Sequence, residues 1–492
     1  MFFEALARFA DLYVILMIFV GVTVGIIGGA LPGISPSMTI ALLLPMTLYM
    51  PTSYAISILM GAYQGAMLGG SISAILINTP GTASAAATVL DGYPMKVNGQ
   101  GLKALHMALY SSVTGGLVGT VILIISANQL ARVALMFGPP EYFALMLLSL
   151  TLIAGIAGKS LLKGLLVGGF GLLLAFVGLD PIYGTTRFTF RMIELSDGIH
   201  NLALFIGAFA ISELLSQLSN KSLKGELVAE TDLGKKNGLT WKEYVSQLPN
   251  MTISGIIGAL IGILPGIGGS TASFMAYASA QKRSKTPEKF GTGIIDGVAA
   301  AEASNNGVCG GALVPLLSLG IPGDVVTAIL VGALIAHGIK PGPLLFVENM
   351  YDVYTIFIGM LLAVFVLAIV GTVGNPLFIK IVSIRQSILF PCVFLICFVG
   401  TYAARNDYFS CYLMLIFGVL AFLLRKNGYT LSPMIIAFVI GGQVESNFRR
   451  SLILDPSGMI FFQRPLCVFL LFSAVVLVFF MVRSNMKNTA TK

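Results

Sequence analysis

A chain of 492 residues that is 56% hydrophobic and only 10% charged has too little polar surface to face water all round. This excludes an ordinary soluble enzyme or binding module and makes lipid the main solvent. The net charge of +8 has no nucleic-acid signature, because Lys and Arg sit in short loops and form no basic stripe interleaved with aromatics.

The first apolar run, Leu12–Pro32, has the length of about 20 residues that a helix needs to cross a bilayer. Glu4, Arg8 and Asp11 precede it without forming the basic leader of a signal peptide, so it reads as a retained first helix. Further runs follow at Leu105–Ala127, Tyr142–Ala157, Leu161–Gly178 and Leu202–Leu215. A polar stretch from Gln217 to Gln247 then carries Lys221, Lys224, Glu226, Glu230, Asp232, Lys235, Lys236, Lys242 and Glu243. Trp241, the only tryptophan, falls in a short surface helix expected over Thr240–Leu248, where it would serve as an interfacial anchor. Beyond lie the runs Ile356–Val373, Ile388–Val399, Tyr412–Leu424 and Leu466–Val482. The pattern predicts an all-α polytopic membrane protein with roughly 10–12 membrane segments. Residues 1–216 form an N-terminal transmembrane repeat, 217–247 a polar cytoplasmic linker, and 248–492 a C-terminal transmembrane repeat.

The two halves echo each other. Leu31-Pro32-Gly33-Ile34 matches Leu264-Pro265-Gly266-Ile267, and Ser37 matches Ser270. Gly65 to Gly69 matches Gly307 to Gly311, and Pro80-Gly81 matches Pro322-Gly323. The basic cluster Lys282, Arg283, Lys285 and Lys289 has no counterpart near Leu48–Ile56. Conversely, Lys96 and Lys103 follow the first Pro-Gly segment, while the matching region offers only Lys340. Because basic loops mark the cytoplasmic side, equivalent loops are expected on opposite sides, as in an inverted-topology repeat with Pro-Gly-broken helices or re-entrant hairpins.

Pro and Gly inside a membrane segment free backbone groups that persist only within protein or beside a water-filled cavity. Four such breaks are expected: Leu31–Ser37, Asn78–Thr82, Leu264–Thr271 and Gly320–Asp324. A helix restarting after a break offers unpaired N–H groups and a positive dipole end, which suits an anion. The candidate substrate-binding residues are Gly33, Ser35, Ser37, Asn78, Thr79, Gly81, Gly266, Ser270, Thr271, Asn305, Asn306 and Gly323. Close helix packing is the competing reading for any single Ser or Gly among them. Glu302 and Asn305 are the candidate ion-coupling residues, since an intramembrane carboxyl or amide is costly unless paired. Asp91 and Asp324 stand at segment ends, where capping and function compete.

Other signals lead nowhere. Gly155 to Ser160 lacks the first glycine of a phosphate loop, since position 153 is Ile153. The histidines His106, His200 and His337 have no metal-ligand spacing, so no catalytic residue, metal site or cofactor is expected. The five cysteines form no C-x-x-C pair. Arg187, Arg191 and Glu194 read as a solvated connection.

At this point the sequence resembles a known family. Gly29-Ala30-Leu31-Pro32-Gly33-Ile34-Ser35-Pro36-Ser37 and Asn78-Thr79-Pro80-Gly81-Thr82, continuing to Pro94, resemble motifs of the large membrane subunit of tripartite tricarboxylate transporters, the TctA family. Glu302-Ala303-Ser304-Asn305-Asn306, Gly310 to Pro315 and Leu319 to Gly323 extend the resemblance into the second half. It implies a subunit of a bacterial inner-membrane secondary transporter with two partners: a small four-helix membrane subunit and a periplasmic substrate-binding protein. It further implies import of a small carboxylate such as citrate, coupled to Na⁺ or H⁺. An ion-independent anion channel and a non-transporting structural subunit are the alternatives.

Overall fold

The computed structural model describes residues 4, 9, 11–31, 33–156, 160–219, 238–382 and 386–490. Pro32 and most of the polar stretch, 220–237, lie outside the described residues. The first half contains α1 (Leu12–Ala30), α2 (Pro36–Thr47), α3 (Thr52–Ile77), α4 (Ala86–Met95), α5 (Gly101–Ala134), α6 (Pro139–Ile156), α7 (Leu161–Ala175) and α8 (Asn201–Ser219). The second half contains α9 (Trp241–Ile263), α10 (Gly268–Arg283), α11 (Ile295–Leu319), α12 (Val325–Ala336), α13 (Met350–Val382), α14 (Gln386–Arg405), α15 (Tyr408–Lys426), α16 (Ser432–Leu454) and α17 (Pro465–Ala490). A two-residue hairpin pairing, β1 (Gly178–Leu179) with β2 (Thr186–Arg187), is the only sheet among the described residues.

The fold is all-α and polytopic. Eight described helices are long and apolar enough to cross a membrane, and five shorter apolar helices accompany them. Two central helices, α3 and α11, did not stand out as apolar runs. Both are rich in Gly, Ser and amides because they are surrounded by protein rather than lipid, and α3 is buried along its whole apolar window. The short surface helix expected over Thr240–Leu248 is instead the opening of the continuous 23-residue α9. A reciprocal capping box starts it: Thr240 Oγ1 accepts from the Glu243 amide, and Glu243 accepts from the Thr240 amide at 2.9 Å. Pro249 does not end it, because the residues beyond continue onto a face buried against α11. Trp241 remains largely exposed at its start.

Three groups can be separated. Helices α1–α5 and α9–α13 form a first body packed around α3 and α11; α6, α7, α16 and α17 form a second group, with α7 on α16, and α8, α14 and α15 a third, with α15 on α8. The first body meets the other groups mainly where α2 touches α8 and α14, and where α12 touches α16.

Glycine permits the close helix approaches in the first body, and these approaches recur in register. Gly25 abuts the Ala62 carbonyl as Gly258 abuts that of Ser304, and Gly29 abuts Ala66 as Gly262 abuts Val308. Gly81 lies on the Gly29 carbonyl as Gly323 lies on that of Gly262. Each pair follows the alignment of the halves read from the sequence. At the centre, Asn306 donates to the Gln64 backbone carbonyl (3.2 Å) and side-chain oxygen (2.9 Å), joining two positions that are equivalent in that alignment. Nearby, Asn305 donates to the Met67 carbonyl at 3.1 Å, while its counterpart Tyr63 lies against Cys309.

Where helices touch backbone to backbone, a methyl group has no room. At Gly119 an added Cβ would overlap the Gly307 carbonyl, whereas at Gly169, in the interior of α7, it would meet nothing within 4 Å. Gly119→Ala is therefore expected to lose about 1–3 kcal/mol through overpacking. Gly169→Ala should instead gain about 0.5–1 kcal/mol from helix propensity. Thermal unfolding in detergent measures both, and shifts of the same sign would contradict this account of the packing.

Candidate functional site

All four sequence breaks are present as breaks in helices. α1 ends at Leu31 with extended backbone, Gly33 adopts φ +89°, and Ile34 closes a turn onto the Leu31 carbonyl at 3.0 Å. Ser35 then caps α2, accepting from the Met38 amide at 3.2 Å, and Pro36 fills the first helical position, where its missing N–H costs nothing. In the second half Gly266 takes φ +83° and Gly268 φ +70°, and α10 starts with no side-chain cap. α3 stops at Asn78 and α11 at Gly320, both left-handed, with φ 56° and 72°. After these stops Thr82 accepts from the Ala85 amide at 3.0 Å, and Asp324 accepts from the Thr327 amide at 2.8 Å, at equivalent positions of the two halves.

These breaks converge. A cavity of about 400 Å³ is lined by Ser35, Pro36 and Ser37 from the first break and by Thr82, Ala83 and Ser84 from the second. Residues 266–271 supply the third break, and Asp324, Val325 and Val326 the fourth. Met67 of α3 and Ser432 and Ile436 of α16 complete the wall, so the cavity lies between the first body and α16. Three helices, α2, α10 and α12, begin in its wall and α4 begins two residues beyond it, so four helix starts, with their positive dipole ends, gather around it. Among the described residues no Lys, Arg or His lines it, and Asp324 is its one ionisable side chain. Hydroxyls from the three other breaks and from α16 supply further donors. The cavity can thus hold an anion by hydrogen bonds and dipoles without a fixed positive charge.

Of the residues expected to bind substrate, Ser35, Ser37, Gly266, Ser270 and Thr271 line this cavity. Gly33 does not: its Cα faces the side-chain amide of Gln217 on α8. Asn78 is exposed at the end of α3, and Thr79 donates to the Ile77 carbonyl at 3.2 Å. Gly81 and Gly323 serve as backbone contacts. The Gly81 amide donates to Gly70 (3.2 Å), and the Gly323 carbonyl accepts from Gly266 (2.7 Å), tying the fourth break to the third. Asn305 and Asn306 are fully buried behind the wall, where Asn305 holds the carbonyl of the cavity residue Met67. Glu302 is also fully buried, accepting from the hydroxyls of Thr88 and Ser112 (3.2 Å for the latter). It ties α4 and α5 to α11 without lining the cavity.

Several residues escaped the sequence reading. Tyr63 donates to Asp324 at 3.0 Å, and Gln64 receives Asn306. Both could have been found by carrying the repeat alignment onto α3, where they stand opposite Asn305 and Asn306. Asp91 is no cap of its own helix. It lies within α4 and reaches across to the start of α11, accepting from the amides of Gly291 (2.9 Å), Gly293 (2.8 Å) and Ile294 (3.0 Å) and from Tyr277 of α10 (2.8 Å). Arg187, read as solvated, is half-buried instead. It pairs with Asp180 and Glu445, and Arg449 bonds Asp180 at 2.5 Å, because the β1–β2 hairpin folds against the end of α16. Backbone amides of Ile182 and Tyr183 and the Arg449 guanidinium hold the Asp180 carboxyl well below the usual carboxylate range.

With the geometry described, three comparisons bear on identity. A family model described as "Tripartite tricarboxylate transporter TctA family" matches residues 15–436. A protein of Agrobacterium vitis described as "Uncharacterized 52.8 kDa protein in TAR-I ttuC' 3'region" is 37% identical over 422 residues, covering 85% of this chain and 83% of its own. A second, "Uncharacterized protein in TAR-II ttuC' 3'region" from the same organism, is 34% identical over 215 residues, 44% of this chain and 89% of its own. No solved structure matches.

Asp91 gives a direct test of how the site is held. Asp91→Ala would take the acceptor from three part-buried amides and a buried tyrosine hydroxyl, and a buried group left unpaired costs about 1–3 kcal/mol. A total loss of about 3 kcal/mol or more is expected in detergent unfolding. A loss under about 1 kcal/mol would mean that these groups find other partners.

Proposed function

The chain belongs to the tripartite tricarboxylate transporter TctA family, a family of transporter components, and on that basis we propose that it is the large membrane subunit of a binding-protein-dependent secondary transporter. In this reading it imports a small di- or tricarboxylate, citrate being the first candidate, coupled to a Na⁺ or H⁺ gradient. It works in a bacterial inner membrane with a small four-helix membrane subunit and a periplasmic binding protein. The observation that carries the reading is the cavity on which four helix starts converge, lined by hydroxyls and backbone amides. Carboxylates are the small metabolite anions such a donor set accommodates without a buried guanidinium or ammonium.

The recurring contacts favour two inverted repeats. Equivalent positions meet where α3 and α11 cross, and residues 63 and 67 of one face residues 309 and 305 of the other, so the helices pass in opposite senses. A two-fold axis relating antiparallel membrane helices lies in the membrane plane. One end of the molecule gathers Lys103 paired with Glu243 (2.7 Å), Arg283 and the 282–289 basic loop, and we assign that end to the cytoplasm. The body α1–α5 with α9–α13 supplies most of the site, and we propose that it moves against the two flanking groups to expose the cavity alternately. Glu302 and Asn305, fully buried behind the wall at Met67, are the ion-coupling candidates in the sense that they relay ion occupancy of the cavity to the moving helices.

Reconstitution in liposomes with the small membrane subunit and binding protein from the same operon tests the reading. Labelled citrate and then a panel of di- and tricarboxylates should be taken up only when the binding protein and an inward cation gradient are both present. Uptake that ignores every ion gradient would make the chain a channel. Failure of the entire panel would remove carboxylates as the substrate class.

A further inference from the structure

We propose that Asp324 binds the coupling cation inside the substrate cavity, so that cation and carboxylate occupy one site together; this rests on the carrier reading above. It differs from the coupling assigned to Glu302, which is buried away from the cavity. Asp324 is the sole ionisable side chain among the described lining residues, in a cavity whose helix starts favour an anion. A carboxylate substrate entering beside it meets a like charge with no Lys or Arg in the wall to offset it. In a low-dielectric enclosure that repulsion is strong, and a cation at Asp324 removes it.

The other half makes the matching cap without a carboxyl group. Thr82 stands at the aligned position of the first half and performs the same backbone capping with a hydroxyl. The two capping sites thus match in geometry and differ by one ionisable carboxyl group, which here also accepts from Tyr63.

The side chain is also fixed and incompletely used. Oδ1 accepts from the Thr327 amide at 2.8 Å and the Thr327 hydroxyl at 2.7 Å. Oδ2 accepts from Tyr63 at 3.0 Å and keeps acceptor capacity for a ligand. The preceding residue is pinned by the Gly266 amide on the Gly323 carbonyl at 2.7 Å, so the carboxylate is held at the tip of a rigid turn. The hydroxyls of Thr82 and Ser84 stand in the same cavity, each more than nine-tenths buried, as further neutral oxygen ligands. A proton and Na⁺ share this carboxylate chemistry, and the driving gradient distinguishes them. Because affinities are linked reciprocally, a cation that raises carboxylate affinity is itself held more tightly by the loaded carrier.

The test uses the reconstituted tripartite complex and the carboxylate taken up fastest in the panel. Asp324→Asn preserves the helix cap, since Asn caps as well as Asp. Uptake is measured under a Na⁺ gradient, under a pH gradient, and as exchange with no gradient. The expected result is that D324N no longer accumulates substrate above the external concentration, with an initial rate that no longer rises with the cation. The gradient that drives the unmodified complex identifies the cation. Where D324N loses exchange too, D324E decides: restored cation-dependent uptake supports the proposal, and continued inactivity overturns it. Accumulation by D324N equal to that of the unmodified complex also overturns it. If the unmodified complex ignores both gradients, the carrier reading fails along with it.

Discussion

Everything in this structure follows from one constraint: a backbone N–H or C=O released in a membrane must find a partner inside the protein. Four helices stop partway, at Leu31, Asn78, Leu264 and Gly320, and each stop frees such groups. Turns, Ser, Thr and Asp caps, and the carbonyl-to-amide link between Gly323 and Gly266 satisfy some of them. The helix starts that follow the breaks gather around a common cavity. The energetic burden of breaking helices in lipid and the capacity to bind an anion are therefore two descriptions of the same exposed amides.

Convergence of the breaks needs close helix packing, and glycine provides it. Along α1, α5, α9 and α11, glycines let neighbouring carbonyls approach to where a methyl group would stand. Dispersion contacts and buried amides then take the place of the hydrophobic effect, which is weak between helices already in lipid. The Asn306–Gln64 pair and the carboxylates Asp91 and Glu302 lie at crossings rather than in the cavity, and they fasten helices of different halves. Most of the buried polarity thus maintains the position of the breaks, and a small part faces the ligand.

The matched landmarks of the two halves also differ in detail. α2 begins with a Ser cap and a proline, whereas α10 begins with bare glycine amides. Thr82 caps with a hydroxyl and Asp324 with a carboxyl group. The loop tips also differ in their outer contacts, Gly33 against Gln217 of α8 and Gly266 against Ile153 of α6. A transporter that loads on one side of a membrane and unloads on the other needs such inequality between matched elements.

The sequence by itself determined the solvent, the helical class, the duplicated landmarks and the four breaks, because each follows from local composition or from the fixed geometry of Pro and Gly. It could not separate cavity residues from packing residues: Ser35, Thr79 and Gly81 look alike in the chain, yet only Ser35 lines the cavity. It also missed α3 and α11 as apolar runs, since helices wrapped by protein are free to be polar. Only the tertiary structure decided that Asp91 holds the start of α11 and that Asp324 faces the cavity while Glu302 does not. Those assignments depend on contacts between residues some 190 to 260 positions apart, and which of many distant partners a buried carboxylate meets is fixed by helix packing rather than by its neighbours in the chain.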